Sequence, residues 1–552
     1  MRYHTGDMDP VGTLLNRIAD TLPEDRAALR RLKTRVASES GAPLIRNDAL
    51  LDRYRAEVAA GRRPLDARLE RILTLNRIRS QSGVATVTVI TEPYPCPGRC
   101  VYCPTEAQAP KSYLTNEPAV RRALRSAYDP YEQMRSRLQA LRETGHATDK
   151  VELIIKGGTW SFYPDSYQRD VIQRCLDAAS DFHTAVRNSE CGVRSENHSE
   201  LRTPNSELAA AQFRNETAGC RVIGITIETR PDYVTAAEVR RLRELGVTRV
   251  ELGVQTLEEA VLTLIVRDHG TAEVRQATRL LKDAGFKVAY HLMPNLPGAT
   301  PAGDLDTMRR LFDDPAYRPD TLKLYPCVVI ETAELFGWWR EGRYTPYDDE
   351  ALIELLIRMK LLVPPYVRIE RIIRDIPSTS IRAGCAITNL REEAQRRLRA
   401  RDAACRCIRC RQVRSDAGGT FRLIRRDYEA SEGLEMFLSF EDPSADRLAA
   451  LLRLRIPRSE EPPEGLPVLR GAALLRELHS YGRHLPLHDR SEDAVQHHGF
   501  GHRLLEEAEW IARGEFGCRR MAVIAGVGVR EYYRQRGYEL EDTYMVKRLD
   551  GR

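Results

Sequence analysis

The sequence predicts an α/β protein: a parallel sheet or barrel, followed by a second α/β domain with its own core and preceded by a helical region. Three observations carry this. Short β-branched runs recur between helical spans from residue 85 onward. Gly246 and Gly285 close helices just ahead of new strands. Near residue 375 the pattern changes to runs that read as antiparallel strands. The 552-residue length corresponds to three to four domains at about 150 residues each.

Residues 1–80 are helical in pattern and of mixed charge, with helical runs at 25–32 and 65–78. The first strand is predicted at 85–90, followed by strands at 151–155 (ending in Gly157 and Gly158), 222–227, 250–254, 288–292 and 322–325. Residues 183–220 are rich in Ser, Asn and Glu and read as a surface insertion. In the second domain, strands are predicted at 421–425, 435–440, 448–454, 473–479 and 520–524. A Pro/Glu-rich loop covers 457–467 and an amphipathic helix 499–513.

The formal charge is +6, with 42% hydrophobic and 30% charged residues. This excludes a disordered, collagen-like or coiled-coil chain. No apolar run approaches the roughly 20 residues needed to cross a bilayer, and the N-terminus has no apolar signal core. Only nine of the 85 basic residues are lysines. Such an arginine excess suits phosphate recognition through guanidinium forks, although biased codon usage would also produce it.

Six of the twelve cysteines fall in two clusters. Cys96, Cys100 and Cys103 have C-x3-C-x2-C spacing on a loop after a strand, with Tyr102 before the last cysteine. Three thiolates so spaced can hold three irons of a 4Fe-4S cubane and leave the fourth open. A structural zinc site would want a fourth ligand nearby. Cys405, Cys407 and Cys410 read as ligands of a zinc ion at the domain junction, with Cys385 as candidate fourth ligand. The remaining cysteines read as buried small hydrophobes.

The first cluster, with Gly157 and Gly158 at the next strand end, resembles the radical S-adenosylmethionine superfamily. That resemblance implies a 4Fe-4S cluster and S-adenosylmethionine, with the Gly-Gly backbone close to the cofactor's amino group. Glu228 and Arg230 lie at a strand end, where catalytic groups of parallel barrels collect. Gln496, Gly499 and Gly501 precede an amphipathic helix and resemble the pyrophosphate loop of GNAT acetyltransferases. The strand before it (Glu477, Leu478, His479, Ser480) and the tyrosines after it (Tyr532, Tyr533) occupy the GNAT positions for the acyl group and thiol.

This fusion resembles the catalytic subunit family of the Elongator complex, over roughly residues 75–549. It implies a radical SAM partial (β/α) barrel followed by a GNAT-type α/β domain. The expected division is a basic N-terminal region for tRNA (1–80), the radical SAM domain (81–374), a zinc-binding junction (375–419) and the GNAT domain (420–552). The implied activity is that of a tRNA uridine(34) acetyltransferase. A 5′-deoxyadenosyl radical takes hydrogen from the methyl of acetyl-CoA, and the carbon radical adds to C5 of the wobble uridine. Loss of an electron and a proton, then thioester hydrolysis, leaves 5-carboxymethyluridine.

Carried over by motif, Lys150, residues 477–480, Phe500, Gly501, His502 and Tyr533 contact acetyl-CoA, with Glu228, Arg230 and Tyr533 in catalytic roles. The partners implied are the tRNA anticodon stem-loop and an external electron donor, with no membrane, in the cytoplasm; a homodimer is compatible. Candidate RNA contacts are Arg30, Arg31, Arg35, Arg62, Arg63, Arg77, Arg79, Arg121, Arg122 and Arg125. The competing activity is a protein lysine acetyltransferase with a structural iron-sulfur cluster. A non-enzymatic RNA-binding scaffold would be expected to have degenerate cysteines and a broken 496–501 loop, and both motifs are intact.

Overall fold

The computed structural model describes residues 9–24, 26–40, 44–45, 47–73, 83–189, 204–413, 419–459, 461–481 and 499–550. Gln496, Arg77 and Arg79 lie outside the described residues.

The first unit is built on β1 (Ala85–Ile90), β2 (Lys150–Lys156), β3 (Arg221–Thr229), β4 (Arg249–Gln255), β5 (Lys287–Leu292), β6 (Thr321–Leu324), the short β7 (Val329–Ile330), β8 (Arg368–Arg371) and β9 (Ile381–Ala383). Seven strands pair in the order β1-β2-β3-β4-β5-β6-β8, every neighbour parallel. β7 and β9 form a separate antiparallel pair. The large sheet is a barrel left open between β1 and β8. Alternation along the strands explains its two faces. Ala85, Val87, Val89, Val151, Leu153 and Ile155 are buried in the same hydrophobic core as Met134 and Leu138 of the covering helix Pro130–Glu143. The alternate positions, among them Glu152, Lys156, Glu228 and Glu251, are polar.

The second sheet comprises β10 (Arg422–Ala430), β11 (Gly433–Asp442), β12 (Arg447–Pro457), β13 (Ala472–Ser480), β14 (Arg520–Val523), β15 (Glu539–Glu541) and β16 (Tyr544–Arg548), in the order β10-β11-β12-β13-β14-β16-β15. Only β13 and β14 run parallel, and they pair only from Ala472/Arg520 to Leu475/Val523. Beyond Leu475, β13 pairs with β12 alone, which leaves a notch beside β14. The sheet packs against the N-terminal ends of the barrel strands. Lys287 of β5 reaches Glu477 at 3.5 Å and Arg368 of β8 reaches the Tyr481 hydroxyl at 3.2 Å.

Behind these contacts lies a largely buried ionic cluster. Arg476 donates to Asp320, Glu435 and the Phe286 carbonyl, and Arg455 pairs with Asp283 and Glu435. Among the described residues of the N-terminal region, four helices enclose a separate core around Leu14, Ile18, Leu50 and Tyr54.

Two expectations are corrected. Much of the stretch 183–220 is regular: one helix continues through Asp165–Ser189 and another spans Pro204–Glu216. Leu208 and Ala211 join the main core, and Glu216 binds Arg530 of the second domain at 2.9 Å. Polar composition concealed a helix whose polar residues serve an interface. In addition, β8 lies beyond the last barrel strand expected from the sequence. Its alternating Arg368 and Glu370 break the apolar run that signals a strand.

Candidate active site

The C-terminal ends of the barrel strands surround a cavity of about 350 Å³, lined by Cys96, Cys100 and Cys103 together with Lys156, Glu228 and His291. Parallel-barrel geometry gathers these strand-end groups at one opening. Arg267 donates from Nη1 to Cys100 Sγ at 3.3 Å, and its other nitrogens are fixed by the Gly253 carbonyl and His269. Burial, then the neighbouring Cys100, push the Cys103 thiol up to about 12.

Both glycines at the end of β2 are required. Gly157 has φ +148° and a Cβ there would stand 1.7 Å from Thr91 Oγ1; Gly158 has φ +88°. Gly158 lines the cavity and presents bare backbone to it, while Gly157 is buried against Thr91. Gly98, between the cysteines, is constrained too: a Cβ would meet Arg230 Nη1 at 2.6 Å. Arg230 is held by Asp232 at 2.8 and 2.9 Å, while its Nη1 is buried without a hydrogen-bond partner among the described residues and lies 3.8 Å from Asp268.

Glu228 faces Tyr113 Oη (3.2 Å), His291 Nδ1 (3.3 Å) and Lys156 Nζ (3.6 Å). Burial would raise its carboxyl, but Lys156 and His291 hold it far below the carboxylate range. His291 Nε2 meets Glu251 at 2.9 Å, and Glu251 also pairs with Lys323. Below them Arg249 joins Glu152, Glu251 and Glu370 at 3.1, 3.4 and 2.5 Å. The barrel interior is thus a column of paired charges running from the cysteines toward the second domain. Arg267, His291, Glu251 and Lys323 were not singled out in the sequence. Their signal is charge placed inside otherwise β-branched strands.

In the second domain, Gly499 (φ +64°) caps the helix Phe500–Gly514. A Cβ on Gly501 would lie 3.5 Å from Ser480 Oγ and 3.7 Å from the Tyr532 hydroxyl, so these three residues converge beside the notch. Of the two tyrosines, Tyr532 therefore faces the loop, whereas Tyr533 is buried edge-on between Tyr532 and Tyr538. Glu477 turns its carboxylate to Arg453 (2.9 Å) and Lys287. Leu478 is half-buried beside the core. His479 Nε2 is buried without a hydrogen-bond partner among the described residues, and burial lowers its imidazole to about 4. His502 is exposed, 3.3 Å from Glu506. Lys150 opens β2 beside Arg221, at the end of the sheet where the 526–529 segment packs on β3. It is roughly 20 Å along the strand from the glycines.

Cys405, Cys407 and Cys410 bring their sulfurs within 4.8 Å of one another, close enough to share one ion. Cys385 does not join them among the described residues; it lies near Asp349, beside a different small cavity. The first cysteine cluster is not drawn to this single-ion spacing, as suits ligands of separate irons. Of the arginine candidates, Arg30, Arg31 and Arg35 share one groove on the helix Arg26–Ser40, Arg63 is tied to Glu57 at 2.9 Å, and Arg122 lines the reaction cavity.

The Radical SAM superfamily model matches residues 94–311 and the Radical_SAM C-terminal domain model residues 319–400. The tRNA uridine(34) acetyltransferase of Dehalococcoides mccartyi is 46% identical over 477 residues, 86% of this chain and 99% of that protein. The Elongator complex protein 3 of Bos taurus is 38% identical over 570 residues, 99% of each chain. The chain belongs to the Elongator complex protein 3 family. The solved structure of the Methanocaldococcus infernus family member, lacking residues 1–46, superposes with a TM-score of 0.71 at 39% identity, covering 85% of this chain and 99% of that one.

As a radical SAM protein the chain uses a 4Fe-4S cluster and S-adenosylmethionine, and the cavity fits both. It offers three thiols, the buried guanidinium of Arg230 beside them, and the side-chain-free backbone of Gly158. No helix among the described residues is long and apolar enough to cross a membrane.

Proposed function

We propose that this chain transfers the acetyl group of acetyl-CoA to C5 of the wobble uridine of tRNA, giving 5-carboxymethyluridine. The observation that carries the reading is the cavity that joins Cys96, Cys100 and Cys103 to Gly158, Glu228 and His291. An acetyltransferase acting on amines has no use for such a cavity, so the lysine acetyltransferase reading is not favoured.

The three cysteines hold the cluster, and Arg267 neutralises the charge on Cys100. The bare backbone at Gly158 receives the amino acid end of S-adenosylmethionine. When bound, the two supply a carbon radical able to take hydrogen from an unactivated methyl group. Glu228 and Lys156 keep each other charged, and His291 lies within hydrogen-bond reach of Glu228 and Glu251 and orients them, which fixes a polar wall for the substrate. In the second domain, the amides opening the helix at Phe500 suit a pyrophosphate, and Ser480 and Tyr532 flank the path of the thioester. Lys150 and Tyr533 are assigned to the same cofactor by family motif. The three thiols at 405–410 hold zinc at the junction, and the N-terminal arginines face the RNA. An external donor supplies the electron, and the protein works in the cytoplasm.

The test is anaerobic reconstitution with S-adenosylmethionine, acetyl-CoA, dithionite and tRNA, followed by nucleoside mass analysis. Carboxymethylated uridine is expected. Its absence from a preparation with an intact cluster would refute the reading.

A further inference from the structure

β1 and β8 are the two edges of the barrel sheet and do not pair with each other. Exposed edges are normally blunted or covered, yet this seam opens into a second cavity of about 520 Å³. Arginines from four different elements line it: Arg137 from the helix Pro130–Glu143, Arg371 from β8, Arg391 from the helix Leu390–Ala400, and Arg409 from the short helix Ile408–Arg411. Arg137 and Arg371 also line the reaction cavity, so the two spaces adjoin at those side chains.

The seam's charges are unevenly satisfied. Arg371 pairs with Asp375, and the Glu370 carboxylate is taken by Arg249 at 2.5 Å. Arg391 and Arg409 instead bond backbone carbonyls of β8, Ile369 at 3.1 Å and Glu370 at 3.2 Å. These bonds anchor one nitrogen of each guanidinium and leave the rest of the fork for another acceptor. Arg391 Nη1 is buried with no hydrogen-bond partner among the described residues. A buried donor in that state calls for an acceptor the chain does not supply.

We infer that this seam holds the sugar-phosphate backbone of the RNA strand on one side of the base presented to the reaction cavity. The inference rests on RNA being the substrate. A base splayed into a cavity carries its flanking phosphates along the adjoining surface. Successive guanidinium forks spaced along a groove match successive phosphates better than they match one anion. Two other roles compete: balancing the charge of the three thiols beside Arg391, and receiving the phosphates of coenzyme A. Arg137 separates the first of these, because it comes from a different element.

The test compares the full-length holoenzyme with the double variant Arg391→Gln/Arg409→Gln and with Arg137→Gln. Binding of tRNA and of an anticodon stem-loop RNA is measured between about 50 and 200 mM salt, together with bound metal and the KM for acetyl-CoA. Both variants are expected to bind RNA about tenfold more weakly. The salt dependence should flatten by about 0.7 for each phosphate no longer neutralised, with metal content and KM unchanged. Unchanged RNA affinity and slope in both variants overturns the inference. So does an effect confined to the double variant and accompanied by metal loss, which assigns the arginines to the thiols. A raised acetyl-CoA KM with intact RNA binding assigns the seam to coenzyme A and equally overturns it. RNA binding is read separately from turnover, so a wild-type protein that binds RNA through the seam without forming carboxymethyluridine refutes only the proposed reaction.

Discussion

Arg267 Nη1 donates to Cys100 Sγ at 3.3 Å, across 167 residues of sequence. Hydrogen bonds to cluster sulfurs tune both affinity and potential. Arg267→Met is therefore expected to lower cluster occupancy or activity by about 10–100-fold and to move the cluster potential downward. Iron content and redox titration followed by electron paramagnetic resonance read both effects. A variant with wild-type occupancy and potential would show that the contact is only structural.

Gly157 and Gly158 should fail differently. A methyl at 157 collides with Thr91 Oγ1 at 1.7 Å, whereas one at 158 meets Lys111 atoms no closer than 3.7 Å. Gly158→Ala incurs only left-handed backbone strain, about 1–2 kcal/mol. Gly157→Ala must also displace Thr91, which bonds Tyr163 at 2.8 Å. The expected order of loss, in thermal stability and in S-adenosylmethionine affinity, is Gly157→Ala well beyond Gly158→Ala. Equal losses would mean that steric collision at Thr91 is not what selects glycine.

Much of this architecture was legible because chemistry and periodicity coincide. Strands β1 to β6 carry apolar residues, many of them β-branched, on their outward face, and the C-x3-C-x2-C spacing announces an iron site without any fold. β8 was not legible, since Arg368 and Glu370 point into a charged barrel interior rather than into oil. His291, Glu251 and Lys323 come from three strands and meet only when the barrel forms. Cys385 illustrates the converse. A thiol near a cluster in sequence is carried elsewhere by the chain between Arg371 and Leu390.

The domain interface should leave a signature in pH. Asp320, fully buried, accepts from Arg476 at 2.5 and 3.1 Å and lies 3.8 Å from Lys282. Burial would raise its carboxyl, but Arg476, Lys282 and Arg453 hold it far below the usual range. A depressed carboxyl stabilises the fold above its unfolded value near 3.9, and that stability is lost as pH falls through the folded value. Lys282 acts at the other end: burial lowers its amine to about 8. Between about pH 8 and 10.4 the unfolded chain binds a proton that the folded chain has released, so stability rises with pH there. Asp320→Asn is expected to lose about 3–5 kcal/mol in urea unfolding near neutrality. Lys282→Met should flatten the alkaline rise relative to wild type. An unflattened rise would remove Lys282 as its source.

The proposed acyl site offers a substitution that spares the fold. Gly501 sits in the first turn of the helix Phe500–Gly514, and its Cβ would make only ordinary contacts, 3.5 Å to Ser480 Oγ and 3.7 Å to the Tyr532 hydroxyl. Gly501→Ala therefore places a methyl between the two groups proposed to flank the thioester, with no clash to unfold the domain. The expected result is an unchanged melting temperature and an acetyl-CoA KM raised about tenfold, which corresponds to about 1.4 kcal/mol. Tyr532→Phe should likewise act on acetyl-CoA handling. Tyr533→Phe removes a hydroxyl from a ring packed between Tyr532 and Tyr538 and should act first on stability. Steady-state kinetics and melting curves on the three variants separate these roles. A kinetic defect in Tyr533→Phe with full stability, and none in Tyr532→Phe, would return the catalytic assignment to Tyr533.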